Sequence, residues 1–293
     1  MKRKKNGSVN IYKSPFLITG FWLLALYALI LLAPMLWAFI TSFKDRLDFL
    51  DNPFGFPDKW HFSNYATAFR NIYVPVSGQP VHMPILLLNS ILYAVGCTLM
   101  HTLVPLVTAY AAEKYRYRFS NFVYALVIVA LIIPIVGSLP SEIQIMRALG
   151  FYDNIIGIWI LKGTFLGTNF LILYAAFRSV PWEFAEAAQV DRASQFRIMT
   201  QIMFPMVSKA VFAVALLSFI AYWNEYTTAM IYLPSMPTVS YGLYRFQFAN
   251  TQEINYVPIQ VAGCMLMTIP LFVLFMAFHN RLMGNIAIGG LKG

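Results

Sequence analysis

PWEFAEAAQVDRASQFRIMTQIMFP, residues 181–205, is polar and charged, yet it lies between runs of twenty or more mostly apolar residues. An ionised side chain costs about 2.5–3.5 kcal/mol at the centre of a bilayer. Glu183, Glu186, Asp191, Arg192 and Arg197 therefore place this stretch outside the lipid, while its neighbours cross it. Ala185, Ala187, Ala188 and Ala193 favour a slim helix. Pro181 suits a helix start, where the missing N–H costs nothing, and Pro205 is expected to end the segment and open the next helix. The expected element is a short helical hairpin at the membrane surface, shaped to dock into a groove on another protein.

The rest of the composition supports a membrane setting. The chain has 293 residues, 59% of them hydrophobic and only 11% charged, against about 25% charged in soluble domains. Mean hydropathy is +0.63, and the fold class expected is an all-α polytopic membrane protein. A net charge of +9 would suit nucleic acid in a soluble protein. Here it reads as Lys and Arg gathered on the cytoplasmic side, and nucleic acid is not an expected partner. Cys97 and Cys264 both fall in apolar runs and read as packed thiols, not as a disulfide or metal pair.

Six apolar runs long enough to span a bilayer are expected at 16–40, 85–112, 121–141, 155–178, 206–234 and 258–281. Residues 1–15 form a basic N-terminus, 16–283 the transmembrane domain and 284–293 a tail. The segment 41–83, with mixed charges and four prolines, fits turns and one or two short surface helices. Alternation of the loops puts fourteen Lys and Arg inside, counting Arg178, Lys209 and Arg281 at the inner ends of their spans, and six outside, with Lys162 alone further within a span. That asymmetry sets both termini and the 181–205 hairpin in the cytoplasm. Pro105, Pro134 and Pro270 are expected to interrupt spans, and Gly163–Asn169 makes the middle of the fourth one polar. Broken helices are tolerated only where protein or water receives the freed backbone groups, which points to a conduit.

Few residues carry catalytic chemistry. There is no G-x-x-x-x-G-K-[ST], so nucleotide phosphates are not cradled here and any ATPase is a separate subunit. His61, His82, His101 and His279 are scattered without carboxylates at ligand spacing, and no G-x-S-x-G nucleophile occurs. No metal, cofactor or catalytic residue is expected. Trp223, Asn224 and Glu225 put an acid within the fifth span. Glu225 either lines a solute path, as intramembrane ions often do, or sits near the outer surface or pairs with a neighbouring helix. A secondary transporter or channel is the competing class, but no inverted repeat and no chain of membrane acids supports it.

The spacing inside the hairpin then becomes specific. Glu186-Ala187-Ala188, three residues, position 192, nine residues, Ile202, one residue, Phe204 and Pro205 resembles the EAA loop of ABC importer permeases. Arg192 stands where that pattern has Gly, and Phe204 where it has Leu. Asn89-Ser90, Ala109-Tyr110-Ala111-Ala112, Leu149 to Asn154, Trp223-Asn224 and the terminal Gly289-Gly290-Leu291-Lys292-Gly293 also resemble family features. The tail is similar to that of maltose-type carbohydrate permeases, although Gly284 sits one residue further from the end than in that pattern. The resemblance covers residues 16–293. It implies a six-span type I importer permease in a bacterial plasma membrane, importing an oligosaccharide or related sugar. A permease for a non-sugar solute is the alternative within the class. The implied partners are a second permease subunit, two ABC ATPase subunits carrying ATP and Mg, and an extracellular solute-binding protein. By the same resemblance, Glu186, Ala187, Ala188, Asp191, Arg192, Ile202 and Pro205 form a coupling helix seated in the ATPase, and Lys292 and Gly293 reach towards it.

Arg192 carries one further expectation. A left-handed conformation costs an L-residue about 1–2 kcal/mol, so Arg192 is expected at φ < 0, with Asp191 and Ser194 bonding to the backbone to turn the chain another way. The topology makes a direct prediction: a cysteine at Gln189 is labelled only from the cytoplasmic side, and one at Asp58 only from outside. Labelling of both from one face would overturn the six-span arrangement.

Overall fold

In the computed structural model, which describes residues 15–115, 119–133, 137–248 and 255–283, the run after the basic N-terminus is one helix, α1 (Pro15–Thr41). The chain divides into two units, residues 1–68 with 250–266 and residues 69–249 with 267–293. In the first unit, α1 buries none of its most apolar window within the chain. Its end turns sharply: Thr41, Ser42, Phe43 and Lys44 are all buried. The Asn64 amide donates to the carbonyls of Ser42 and Lys44 at 2.9 and 2.8 Å, fixing that turn. Two short helices follow, α2 (Arg46–Asp51) and α3 (Ser63–Asn71), as expected for this segment.

The second unit begins with an element that the all-α expectation lacked. Strands β1 (Tyr73–Val76) and β2 (Gln79–His82) form an antiparallel hairpin in which Tyr73 faces His82. Ser77 and Gly78 turn it at φ 49° and 83°, the double positive φ whose twist matches paired strands. The hairpin leads into α4 (Met83–Lys114), which runs unbroken for 32 residues. Asn89 and Ser90 on α4 anchor a distant segment: Asn89 Nδ2 donates to Pro237 O at 3.0 Å, and Ser90 Oγ accepts from Val239 N at 2.7 Å.

Only some expected spans are single helices. Among the described residues, α1, α4 and α15 (Val257–Met283) are each long and apolar enough to cross a membrane. The expected span 121–141 is corrected to α5 (Ser120–Ile132) and a separate α6 (Leu139–Ala148); Pro134 lies outside the described residues. Span 155–178 is α7 (Ile155–Lys162) and α8 (Thr168–Arg178), divided at the polar stretch as expected. Hairpin helix α9 (Glu183–Val190) follows, then α10 (Gln195–Arg197), a π-helical turn (Ile198–Met203) and α11 (Phe204–Met206). Span 206–234 is α12 (Ser208–Asn224) and α13 (Thr227–Tyr232), and α14 (Val239–Gln247) precedes α15.

Pro105 and Pro270 lie inside α4 and α15 without ending them, which corrects the expected interruptions. At Pro105 the reason is visible. Proline cannot donate to the carbonyl four residues back, which here belongs to His101. Asn169, in the first turn of α8, supplies a donor instead, its Nδ2 lying 3.3 Å from His101 O and 3.2 Å from Ser218 Oγ. The His101 ring also meets Lys162 O at 3.1 Å, at the end of α7. The residues around the α7–α8 break thus supply the donor that the proline removes from α4, as lipid requires, while Lys162 O, already bonded to Thr164 N at 2.9 Å, also meets the His101 ring.

This exchange is testable. Asn169→Leu is expected to lower stability by about 1 kcal/mol by leaving a part-buried carbonyl unpaired. Adding Pro105→Ala restores an in-helix donor to His101 and is expected to recover much of that loss. Thermal unfolding of the purified single and double variants reads the coupling; strictly additive effects would contradict it.

Candidate functional site

The 181–205 hairpin is built on a narrow inner face. Ala185 and Ala188 are buried, and they share one apolar core with Leu106, Ala109 and Tyr110 of α4, Phe170, Leu173 and Phe177 of α8, and Val214 of α12. From the return limb, Ile198 and Met203 join the same core, and half-buried Ile202 packs against it. Phe204, where the permease pattern has Leu, completes a three-ring cluster with Tyr110 and Phe177 at centroid distances of 6.0 and 6.1 Å. Two polar ties from the end of α4 were not singled out from the sequence. Lys114 Nζ donates to Val180 O at 2.6 Å, and the Tyr115 hydroxyl to Gln195 Oε1 at 2.9 Å. The available signal was a Lys-Tyr pair closing an otherwise apolar helix.

The outer face is different in kind. Glu183, Glu186, Ala187, Gln189, Asp191, Arg192 and Arg197 are exposed. Val190 and Phe196 project among them at 84% and 71% exposure. Val190 and Phe196 thus form an apolar pair within a polar surface.

The turn between the limbs corrects the expectation for Arg192, which lies at φ 58°. Asp191 caps α9, Arg192 N donates to Gln189 O at 2.9 Å, and Ala193 N to Ala188 O at 3.0 Å. That pair of bonds is a Schellman motif, whose left-handed residue is usually Gly. The two bonds satisfy carbonyls that the helix end would otherwise leave orphaned, and the chain adopts them although Arg bears the steric cost. Ser194 does form the expected backbone bond, its Oγ accepting from Arg197 N at 3.3 Å to cap the return limb. Pro205 is the second residue of α11, in the first turn where its missing N–H is tolerated, as expected. Ahead of it, Phe204 N donates to Met199 O, one residue further back than in an α-helix, and this wider turn accommodates the donor that proline lacks. The 76° bend into α12 follows at Val207. Lys292 and Gly293 lie outside the described residues.

At Trp223–Glu225, α12 ends and α13 begins. The Trp223 indole is buried and donates to Met267 O at 3.1 Å. Glu225 Oε2 accepts from the Tyr93 hydroxyl and Oε1 from Thr228 N, both at 2.7 Å. The carboxylate therefore ties α4 to the start of α13 and fills an orphan donor there. Asn224 is exposed and lines a cavity of about 200 Å³ with Tyr226, Ser240, Tyr244, Gln247 and Met267. Among the described residues, no three His, Cys, Asp or Glu side chains group as a metal site.

Long apolar helices, with others broken around a polar hairpin, fit a membrane transport component. The family described as "Binding-protein-dependent transport system inner membrane component" matches residues 101–286, and this chain belongs to it. It is similar to the diacetylchitobiose uptake system permease protein NgcG of Streptomyces coelicolor, at 25% identity over 91% of this chain and 86% of the relative. It is likewise similar to the trehalose/maltose transport system permease protein MalG of Thermococcus litoralis, at 27% identity over 92% and 94%. A crystal structure of a bacterial ABC transporter involved in the import of the acidic polysaccharide alginate shares the fold. Its TM-score is 0.73 at 23% identity, over 90% of this chain and 95% of that one.

The left-handed turn predicts that Arg192→Gly raises stability by roughly 0.5–1 kcal/mol, because Gly occupies φ > 0 without the Cβ clash. Chemical denaturation of the purified protein checks this; a loss of stability would mean that the Arg192 side chain contributes more than its backbone costs.

Proposed function

We propose that this chain is a six-span permease subunit of an ABC importer, taking up an oligosaccharide or related sugar. The observation that carries this is the hairpin: its alanine face lies in the transmembrane core, and its outer face presents Val190 and Phe196 amid Glu183, Glu186 and Gln189. In this proposal α9 is the coupling helix. It seats on one of two ATPase subunits, which bind ATP and Mg and perform the hydrolysis that this chain does not. A second permease subunit completes the conduit, and an extracellular binding protein delivers the solute. Both termini and the hairpin are cytoplasmic. Glu186, Ala187, Asp191 and Arg192 form the contact surface, while Ala188, Ile202 and Pro205 shape the hairpin from within. Lys292 and Gly293 reach the ATPase as a second contact. Coupling is then the selection by ATP of one of two rigid-body arrangements.

The sugar assignment rests on the relatives, whose names specify diacetylchitobiose, trehalose/maltose and, for the SmoH permease of Agrobacterium fabrum at 28% identity, sulfoquinovosyl glycerol. Asn224, with Ser240 and Gln247 at the polar cavity, supplies hydrogen-bonding groups suited to hydroxyls along the path. Trp223 and Glu225 hold that wall of the path in place.

Affinity purification of the tagged chain from its native membrane is expected to bring down an ATPase and a sister permease. Glu186→Lys, on the exposed face, is expected to keep the sister permease and normal abundance but lose most of the ATPase and of transport. Recovery of no ATPase with the unaltered chain, or full transport by Glu186→Lys, would contradict the proposal. A co-captured binding protein that takes a non-sugar solute would contradict the substrate class alone.

A further inference from the structure

Residues 45–62 form a knuckle folded back on the end of α1, with apolar side chains turned outward. Leu47 and Leu50 of α2 are 68% and 65% exposed, and Phe54 and Phe56 in the loop beyond are 83% and 72% exposed. These side chains project from a tightly tied backbone. The Trp37 indole in α1 donates to Pro53 O at 2.9 Å, and the buried Lys44 amine donates to Asn52 O. Gly55 N is held by Asn52 Oδ1 at 2.8 Å, Asp58 N by Asp48 Oδ2 at 3.2 Å, and His61 N by Phe43 O at 2.8 Å. Phe43 packs beneath, within 5.2 Å of the rings of Trp60, Phe62 and Tyr65.

The depth of the knuckle follows from α1. Trp37 lies four residues before the helix end at Thr41, about 6 Å down its axis at 1.5 Å per residue. Trp37 contacts half-buried Phe49 and exposed Phe54 at centroid distances of 6.4 and 6.5 Å, so the Phe54 ring stands level with the last turn of α1 and not above it. Aromatic rings carried on a partly charged segment at that height match the water–lipid interface, where amphipathic side chains concentrate.

We infer that the 45–62 knuckle is an interfacial anchor whose Leu47, Leu50, Phe54 and Phe56 side chains are immersed in the lipid at the headgroup–acyl boundary. The partner is the bilayer itself, because Phe54 meets Trp37 and so joins these side chains to α1, a helix long and apolar enough to cross a membrane, none of whose most apolar window is buried within the chain. Assignment to the outer leaflet rests on the six-span topology; the depth does not.

The test is fluorescence quenching in the assembled transporter. With Cys97 and Cys264 replaced by Ala, Phe54→Cys and Phe56→Cys carry an environment-sensitive fluorophore in phosphatidylcholine nanodiscs. Leu50→Cys gives the same readout should either label hinder assembly. The expected result is blue-shifted emission and strong quenching by lipid nitroxide near the headgroup. Quenching by nitroxide at the acyl-chain end is expected to be weaker, and loss to aqueous iodide slight. Iodide quenching without lipid quenching would overturn the inference by placing the knuckle in water. Protection from both quenchers would overturn it in favour of a protein partner covering this surface. A wrong topology would appear instead in the labelling of Asp58 and Gln189 positions, which leaves this depth reading unchanged.

Discussion

Ala185 and Ala188 set how closely α9 can approach the membrane helices, and the hairpin's other features follow from that approach. A methyl side chain at each position lets the α9 backbone enter the core formed by Leu106, Tyr110, Leu173 and Phe177. Larger side chains there would lift the helix off that surface, because close-packed interiors absorb even one extra methylene poorly. The return limb is held by the same core through Ile198 and Met203, and Phe204 locks against Tyr110 and Phe177. A force on the exposed face therefore meets α4, α8 and α12 through packed atoms, not through a loose linker. Mechanical continuity of this kind lets an event outside the lipid reorient helices within it.

Below the hairpin, the governing requirement is that every backbone group in lipid finds a partner. The spans that deviate from plain helices meet it by exchange. Asn169 serves the carbonyl that Pro105 abandons, and His101 meets the end of α7. At the α12–α13 break, Glu225 fills a donor at the new helix start while accepting from Tyr93. Asp153 makes a comparable bridge: its carboxylate takes Ser235 N at 3.0 Å and Ser235 Oγ at 2.5 Å, and its own N–H donates to Tyr232 O at 2.8 Å. Broken helices held this way can line a path without exposing bare backbone to hydrocarbon.

The hairpin and the membrane class were legible because they rest on charge and hydropathy, which sequence displays directly. Residues 181–205 stand out by contrast with their flanks, and Gly163–Asn169 announced the break in the fourth span by its polarity alone. Features that depend on a distant partner were not legible. Nothing near Pro105 reveals that Asn169, far along the chain, completes its helix, so the proline read as an interruption. Arg192 was misread for a related reason. The steric cost of φ > 0 is local and easily weighed, whereas the two Schellman bonds that outweigh it depend on how α9 ends. The β1–β2 hairpin lies in a proline-rich segment that hid its strands, although Ser77-Gly78 was a turn signal in plain sight.

The central claim is that the hairpin and the membrane helices beneath it move as one body. Spin labels at Gln189 on α9 and Leu217 on α12, both exposed, measure this by electron–electron distance in the assembled transporter with and without ATP. The account predicts one narrow distance distribution that keeps its mean through the nucleotide cycle, while distances from Gln189 to the sister subunit change. A Gln189–Leu217 distribution that broadens or shifts with ATP would contradict it, because the hairpin would then be yielding instead of transmitting.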